Sequence, residues 1–327
     1  MNIIEKANKA YLENFKPKIW FGRCIFLSWY CDVGTCKFCF RSTQKSRIKH
    51  AENARRSLSS VLTETLLCKN LGWRIEFLTG GYRIFPMDDL VNITKLVSEV
   101  YGEKIWLNLG VLEEQDIEKF RPHIEGIVAS IETVNEGLHN EVCPNKPIGP
   151  YVKMLQNIKG LKKSITIVIG LGEKKEDINL LYDFIKKNEL DRITFYALRP
   201  IAETIYTKGP STEDYLYWIA STRIRFPKLE IIAGTSPTRV NEVDLVLKSG
   251  ANAITKFPAT KMFNSSEAKI IEEKIKRADR VFVSTLTKIP DLDWDKQIDK
   301  LKLDNNLKEQ IRIKLNQYLE VMGKSRN

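Results

Sequence analysis

The sequence predicts an α/β fold, a (β/α)8 barrel of the TIM type that is complete or nearly so. Short runs of β-branched and aromatic residues alternate with amphipathic stretches along most of the 327 residues. Alternation of this kind indicates parallel strands that are joined by helices. Eight strand-like runs occur, which is the number that closes a barrel. An open, doubly wound sheet is the structural alternative that this pattern leaves.

The individual elements are predicted from hydrophobic spacing and from residues that begin or end helices. The predicted strands lie at 23–28, 74–78, 104–108, 126–130, 164–169, 192–197, 230–233 and 253–255. The predicted helices lie at 57–72, 86–100, 176–188, 211–225 and 239–249. Ser57 is a predicted N-cap, and Gly250 follows the end of a helix.

Three parts of the chain are expected from these elements. Residues 1–18 form an N-terminal helical segment, and residues 19–263 form the barrel. Residues 264–327 form a C-terminal extension made of helices only, which covers one end of the barrel. Because side chains for catalysis gather at the carboxyl ends of barrel strands, a motif directly after a strand is the strongest candidate for a site.

The composition narrows the class of protein. The net charge is +11, from 52 Lys and Arg against 41 Asp and Glu, but the basic residues are scattered over many helix faces. A nucleic-acid partner is therefore not expected. The first 25 residues lack the apolar core of a signal peptide, and no apolar run could span a membrane. A cytoplasmic location is expected, where clustered cysteines indicate metal ligands or reactive thiols.

Three of the six cysteines form a cluster with C-x4-C-x2-C spacing, directly after the first predicted strand. They are Cys31, Cys36 and Cys39, and Gly34 allows the loop between the first two to turn. A structural zinc site needs four ligands, and His50 is the nearest histidine that could complete it. An iron–sulfur cluster with three thiolates instead leaves one iron open. The spacing alone leaves a cluster, a zinc site and unligated thiols as alternatives.

The segment "YCDVGTCKFCF" resembles the cysteine loop of the radical S-adenosylmethionine superfamily, with Phe38 at its aromatic position. Most members have one residue fewer between the first two cysteines. The resemblance implies a [4Fe–4S] cluster on Cys31, Cys36 and Cys39, with S-adenosyl-L-methionine on the open iron. It also implies reductive cleavage to a 5'-deoxyadenosyl radical, which takes hydrogen from a small-molecule substrate. A ferredoxin or flavodoxin would supply the electron.

Further segments resemble the S-adenosylmethionine-binding segments of the branch that contains biotin synthase and the hydrogenase maturases, the BATS branch. They are "LTGGYR", in which Tyr82 replaces the usual Glu, "SIETVNEGL", "IVIGLGE" and "YALRP". The resemblance implies a cofactor site made of Gly80, Gly81, Ser130, Glu132, Lys153, Gly170, Ala197 and Leu198. Glu132 would bind the ribose and Lys153 the methionine carboxylate. Tyr82 and Arg199 are the predicted substrate contacts, with Arg199 as an anchor for an anion.

The branch can be narrowed further by what the chain lacks. Residues 105–112 hold no cysteine where biotin synthase has a ligand of its second cluster, which excludes biotin synthase itself. The lengthened cysteine spacing resembles the HmdB family, which usually has five residues between the first two cysteines where this chain has four. That family is encoded with genes for the iron-guanylylpyridinol cofactor of [Fe]-hydrogenase. Two rival classes remain at this point, namely a radical enzyme that modifies RNA and a zinc-binding protein without catalysis.

Overall fold

The computed structural model describes residues 1–80 and 83–324. Its centre is a closed barrel of parallel strands in the order β2-β3-β4-β5-β6-β7-β8-β1, with β1 also paired to β2. The predicted (β/α)8 barrel is confirmed, because this last pairing removes the open edges of a doubly wound sheet. The strands β1 to β9 are Lys18–Phe26, Arg74–Thr79, Ile105–Asn108, Ile124–Glu132, Lys162–Ile169, Arg192–Ala197, Glu230–Gly234, Ala253–Thr255 and Val281–Phe282.

Helices surround the barrel and follow the strands in the alternation that the sequence predicts. The helices α1 to α13 are Ile3–Asn14, Phe40–Gln44, Leu58–Asn70, Met87–Tyr101, Glu114–Phe120, Glu136–Val142, Ile148–Asn157, Ile178–Asn188, Thr212–Arg225, Val243–Lys248, Ser266–Arg277, Trp294–Asp299 and Asn305–Gly323. Within the described ranges, none of them is both long and apolar enough to cross a bilayer.

The predicted helix boundaries are close where a capping residue marks them. Ser57 precedes α3, and its hydroxyl accepts a 3.3 Å hydrogen bond from the Ser60 amide. The prediction is wrong at the start of α10, which begins at Val243 instead of residue 239. A 3-10 turn, Pro237–Glu242, fills the difference. Such turns share local hydrogen bonding with a helix start, so spacing does not separate them.

The barrel interior holds a buried carboxylate among apolar side chains. Glu76 of β2 is fully buried and accepts a hydrogen bond from the Tyr196 hydroxyl at 2.6 Å. Thr194, Thr255 and the Cys24 thiol also bond to its two oxygens. Strands β1, β2, β6 and β8 are thereby joined across the barrel. A buried carboxylate is tolerated when donors satisfy its oxygens in this way.

A second buried charge joins α3 to the barrel. Glu64 of α3 pairs with Arg23 of β1 and, at 2.6 Å, with Arg56. Burial acts to raise the pKa of Glu64, but the two guanidinium groups outweigh it and the pKa is lowered. Arg56 also contacts the Tyr318 hydroxyl of α13 at 3.3 Å, so this cluster connects the C-terminal helix to the barrel.

The C-terminal extension departs from the prediction of helices only. It contains the strand β9, which pairs in parallel with the start of β1. The Val281 amide donates to the Pro17 carbonyl at 2.8 Å, and the Thr285 amide donates to the Leu71 carbonyl at 3.1 Å. A strand of two residues is too short to show a hydrophobic period, which is why the sequence does not reveal it.

Candidate active site

A cavity of about 380 Å³ opens at the carboxyl ends of the barrel strands. Its lining includes side chains from the strand ends and from the loops that follow them. The described lining residues are Phe26, Trp29, Phe38, Cys39, Phe40, Arg41, Phe77, Thr79, Asn108, Ser130, Glu132, Thr166, Val168, Tyr196, Ala197, Leu198, Arg199, Ile201, Gly234, Ser236 and Lys256. This is the end at which barrel enzymes place their catalytic groups.

Two polar side chains at the end of β4 face this cavity. Ser130 and Glu132 both line it, and the Ser130 hydroxyl donates to the Asn108 side chain at 3.0 Å. The pairing between β4 and β5 shifts by one residue between Ser130 and Glu132. Glu132 has a φ of +64°, in the left-handed region that non-glycine residues avoid. A bulge and a strained residue at a strand end redirect the side chain, and both are frequent at functional sites.

Glu132 has a cationic partner that follows later in the chain. The Lys146 ammonium lies 2.7 Å from a Glu132 carboxylate oxygen and 2.5 Å from the Ser130 carbonyl oxygen. Burial is the largest single effect and acts to lower the pKa of Lys146, but Glu132 together with Tyr151, Cys36 and Cys143 reverses it, so the net shift is upward. The ion pair is therefore intact at neutral pH, and it holds the Glu132 carboxylate at the edge of the cavity.

His139 of α6 supports the same corner. It is fully buried, and its two ring nitrogens lie 2.9 Å from the Ile131 carbonyl oxygen and 2.6 Å from the Lys146 carbonyl oxygen. The ring bridges the segments that carry Glu132 and Lys146. These two contacts with backbone carbonyls account for the buried position of His139 without a metal or a substrate.

The cysteine loop lies between β1 and α2, at the mouth of the cavity. Cys39 lines the cavity, and Gly34 has a φ of +49°, as the predicted turn requires. The loop is joined to α6 because the Lys37 amide donates to the Val142 carbonyl at 2.9 Å. Cys36 packs there against Cys143, which is buried.

The contact between these two thiols shifts their pKa values in opposite directions. The hydrogen bond from Cys143 lowers the pKa of Cys36, while the same interaction raises the pKa of Cys143. Burial raises the pKa of Cys39. Cys36 is therefore the thiol of this group that ionises most readily, which is the form that binds metals.

The donor chemistry of the loop fits an iron–sulfur cluster, because three half-buried thiols lie within nine residues beside a cavity. The side chains are nevertheless not arranged as a metal-binding centre. Within residues 1–80 and 83–324, no group of three or more His, Cys, Asp or Glu side chains is arranged to hold a metal ion. His50 is exposed and lies 3.7 Å from Glu52, so it is not gathered with the thiols.

The loop after β5 is organised by its own carboxylate. Glu173 accepts hydrogen bonds from the amides of Gly170 at 2.6 Å and Leu171 at 2.9 Å. Gly170 has a φ of +106°, and a Cβ there would lie 2.9 Å from Pro210. Burial raises the pKa of Glu173, although these backbone hydrogen bonds act to lower it. Glu173 thus fixes the loop internally and does not reach the main cavity.

Comparison with known proteins shows a relative over nearly the whole chain. A scan against protein-family models finds no match. The chain is 40% identical over 306 residues to "Uncharacterized protein MJ0597" of Methanocaldococcus jannaschii, which covers 91% of this chain and 85% of that protein. The chain belongs to the MJ0597 family. A biotin synthase of Sulfurihydrogenibium sp. (strain YO3AOP1) is 25% identical over 219 residues, which are 62% of each protein.

Solved structures share the fold. Methylornithine synthase (PylB) matches with a TM-score of 0.68 and 22% identity, over 78% of this chain and 76% of that one. The FeFe-hydrogenase maturase HydG from Carboxydothermus hydrogenoformans matches with a TM-score of 0.67 and 16% identity, over 97% of this chain and 82% of that one. This member of the MJ0597 family thus shares the barrel fold of these two proteins and, over 62% of its length, similarity in sequence to a biotin synthase.

Most of the predicted cofactor-site residues of this protein line one cavity. Phe38, Ser130, Glu132, Ala197 and Leu198 line the cavity with the predicted substrate contact Arg199. Their roles stay predictions.

The other predicted residues lie elsewhere. Lys153 belongs to α7 and faces a separate groove with Glu113 and Glu118, away from this cavity. Gly80 adjoins Leu27 at the end of β2, and Gly170 lies in an adjoining groove. Gly81 and Tyr82 lie outside the described residues.

Sequence reasoning missed three cations of this region, namely Arg41, Lys146 and Lys256. Lys256 directly follows β8, so the rule that sites follow strands would have found it. Arg41 is two residues beyond Cys39, and it stacks on the Phe26 ring with its guanidinium carbon 4.6 Å from the ring centre. Lys146 gives no such signal, because its pairing with Glu132 depends on how the chain turns after α6.

Proposed function

We propose that this enzyme binds a [4Fe–4S] cluster and S-adenosyl-L-methionine and acts on a small molecule in the biosynthesis of the iron-guanylylpyridinol cofactor of [Fe]-hydrogenase. The observation that carries the proposal is that one cavity joins the Cys39 thiol to the Glu132 carboxylate. The pathway is supported by the lengthened cysteine spacing, which resembles the HmdB family. The electron comes from a ferredoxin or flavodoxin.

Cys31, Cys36 and Cys39 hold the cluster as thiolates in this proposal. Bound cluster and S-adenosylmethionine together supply a 5'-deoxyadenosyl radical that abstracts hydrogen from the substrate. The protein contributes orientation and a water-poor cavity. Arg41 lies beside this loop. Burial lowers the pKa of Arg41, and the nearby thiols of Cys39 and Cys31 act in the opposite direction with a smaller effect. Its cation offsets part of the negative charge that thiolates bring.

The adenosine part of S-adenosylmethionine is assigned to the β4–β6 side of the cavity. Glu132 accepts hydrogen bonds from the ribose hydroxyls, which a carboxylate can do twice. Adenine lies against Ala197 and Leu198. The Leu198 amide already donates a 2.8 Å hydrogen bond to the Ile169 carbonyl. The contact with adenine therefore uses the Leu198 side chain and carbonyl.

The methionine carboxylate needs a different partner from the one that the resemblance implied. Lys153 faces another groove. Arg41 lines the cavity, follows the cysteine loop and has a buried Nε without a hydrogen-bond partner among the described residues. We assign the methionine carboxylate to Arg41 for this reason, because a buried donor without an acceptor is costly unless a ligand satisfies it.

Anaerobic reconstitution with iron and sulfide tests the proposal. Wild-type protein should bind about four iron ions per chain and, after reduction with dithionite, should release 5'-deoxyadenosine from S-adenosylmethionine. The Cys31→Ser, Cys36→Ser and Cys39→Ser variants should lose the iron, while Cys68→Ser, at a buried thiol of α3, should keep it. A protein that takes up zinc but no iron, or iron without 5'-deoxyadenosine release, would contradict it.

The pathway is tested separately. Deletion of the gene should abolish the iron-guanylylpyridinol cofactor in a methanogen that makes it, and wild-type protein but not Cys39→Ser should restore the cofactor. Normal cofactor levels in the deletion strain would reject the pathway and leave the radical chemistry in place.

A further inference from the structure

The cavity contains positive charge that the described part of the chain does not neutralise. Arg41, Arg199 and Lys256 line it, and none of the three forms an ion pair within residues 1–80 and 83–324. Glu132 is the carboxylate of the described lining, and Lys146 already neutralises it. A cleft that carries one sign of charge concentrates ligands of the opposite sign. The cavity is therefore suited to an anion.

Lys256 is a cation that lies against two aromatic rings of the cavity. It directly follows β8, and its φ of +70° is in the left-handed region. Its ammonium lies 4.4 Å from the ring centre of Tyr196 and 6.0 Å from that of Phe26. Two aromatic rings position the ammonium without removing its charge, since cation–π contact leaves its hydrogen-bond donors available.

The position in the barrel separates the strand before Lys256 from the strand that carries the proposed ribose contact, Glu132. Glu132 ends β4, and Lys256 follows β8. In the strand order β4-β5-β6-β7-β8-β1-β2-β3, which closes on itself, these two strands stand on opposite sides of the barrel. A substrate that reaches Lys256 thus lies across the cavity from the ribose contact, with the reacting group between the two.

The side chains around Lys256 indicate the chemical character of the rest of the ligand. Phe26, Phe77 and Tyr196 provide apolar surface in the same cavity, and Ser236 adds a hydroxyl from the loop after β7. The Tyr196 ring cannot turn away easily, because its hydroxyl is bonded to Glu76. Binding sites of this kind take a ligand with an apolar body and one polar group that fixes its orientation.

We propose that Lys256 binds an oxyanion of the substrate, either a carboxylate or a phosphate, and that Phe26, Phe77 and Tyr196 contact the apolar part of the same molecule. The inference rests on the proposed function, since it describes the substrate side of that site. It assigns the anion to Lys256 and not to Arg199.

Three small probes test this in protein without a cluster, so the result does not depend on radical chemistry. They are benzoate, phenyl phosphate and the uncharged benzamide. Trp29 reports binding, because it lines the cavity and stacks on Phe26 with the ring centres 5.6 Å apart. A Trp29→Phe variant identifies its fluorescence. Wild-type protein should bind at least one of the two anions about 10-fold more tightly than benzamide.

Two variants and a control decide the outcome. Lys256→Met should bind the preferred anion and benzamide with equal affinity, and Lys256→Arg should keep most of the preference. Lys162→Met, at the opposite end of the barrel, should behave as wild type. Preference for benzoate identifies a carboxylate, and preference for phenyl phosphate identifies a phosphate. If neither anion exceeds benzamide up to its solubility limit, or if Lys256→Met keeps the preference, the assignment is wrong.

Discussion

The Tyr196 hydroxyl donates a 2.6 Å hydrogen bond to the Glu76 carboxylate across the interior of the barrel. The Cys24 thiol bonds to the other oxygen of the same carboxylate at 3.0 Å. Burial raises the pKa of Tyr196 well above its usual value, so the hydroxyl remains a donor throughout the neutral range. The buried network thus fixes the ring above which Lys256 lies.

Tyr196→Phe tests the strength of this bond. The variant keeps the ring but removes one donor from a buried carboxylate, so we expect the free energy of unfolding to fall by about 1.5–3 kcal/mol. Urea denaturation measures the change. Tyr206→Phe is the matched control, because the Tyr206 hydroxyl is only half-buried and bonds to the neutral Leu171 carbonyl at 3.1 Å. An equal loss in both variants would mean that the charge of Glu76 adds nothing.

Lys146→Met should be more destabilising than most lysine substitutions. It leaves the Glu132 carboxylate without its partner in a nearly buried position, which costs about 3 kcal/mol. The raised pKa of Lys146 means that the pair contributes its full stability below the usual value of 10.5 and loses it as the pH rises through the shifted pKa.

The control for Lys146 is Lys162→Met. Lys162 pairs with Glu125 at 2.5 Å, but both side chains are about half exposed, so the change should stay below about 1 kcal/mol. Thermal unfolding measures both variants. The hypothesis that Lys146 holds Glu132 would be rejected if the two variants lost equal stability.

Gly34→Ala should impair iron uptake with little effect on the barrel. The φ of +49° disfavours alanine, and a Cβ would lie 2.9 Å from the Cys31 carbonyl oxygen. We expect at least a twofold lower iron content after reconstitution, together with a wild-type melting temperature. Gly149→Ala provides the comparison, since no atom lies within 4 Å of its added Cβ. Equal iron content in both variants would show that the turn does not matter.

Cys36 and Cys143 should form a disulfide when cluster-free protein is exposed to oxygen. The Cys36 thiol ionises readily and packs directly against Cys143. Oxygen accepts the two electrons and two protons that the thiols lose. Peptide mapping without reductant should find the 36–143 pair as the main disulfide.

Cys143→Ser should remove this disulfide, and Cys68→Ser should not, because Cys68 is buried in α3 and its pKa is raised by burial. A main disulfide between two of the loop cysteines Cys31, Cys36 and Cys39 would contradict the expected pairing.

Glu64→Gln should make the free energy of unfolding depend less on pH in the acidic range. The lowered pKa means that the carboxylate contributes stability above its usual value of 4.5 and loses it as the pH falls through the shifted pKa. We expect the variant to lose about 3 kcal/mol at pH 7, because Arg23 and Arg56 lose their partner. The difference from wild type should shrink as the pH falls below 4.5.

Urea denaturation at neutral and acidic pH measures this difference. Glu118→Gln is an exposed control and should change the pH dependence much less, because solvent screens the pair of Glu118 with Arg121. A loss of stability in Glu64→Gln that stays constant with pH would exclude a contribution from the Glu64 charge.

The sequence allowed the barrel to be predicted because each unit carries a local signal. Alternating hydrophobic periods and the Ser57 cap are properties of neighbouring residues, and β6 and β8 match their predicted ranges, 192–197 and 253–255. The strand β9 was missed because two residues show no period. It is defined only by its partners in β1.

The site was predictable in part for the same reason. Glu132 ends β4 and Arg199 follows β6, and the closed barrel brings such positions to one cavity. Lys146 and Cys143 were not assigned, because their contacts with Glu132 and Cys36 depend on the path of the chain around α6. Lys153 lies on a helix near the predicted place, but the helix faces it toward another groove.

The pairing of β1 with β8 and β9 has a consequence for folding during translation. The Phe21 amide of β1 donates to the Ser284 hydroxyl, 263 residues later in the chain, and β1 meets β8 nearby. During translation, the strand that carries the cysteine loop leaves the ribosome long before either partner exists. The nascent chain can pair β1 with β2 but not with β8 or β9, so the barrel beside the cysteine loop closes only after residues 253–282 have been synthesised.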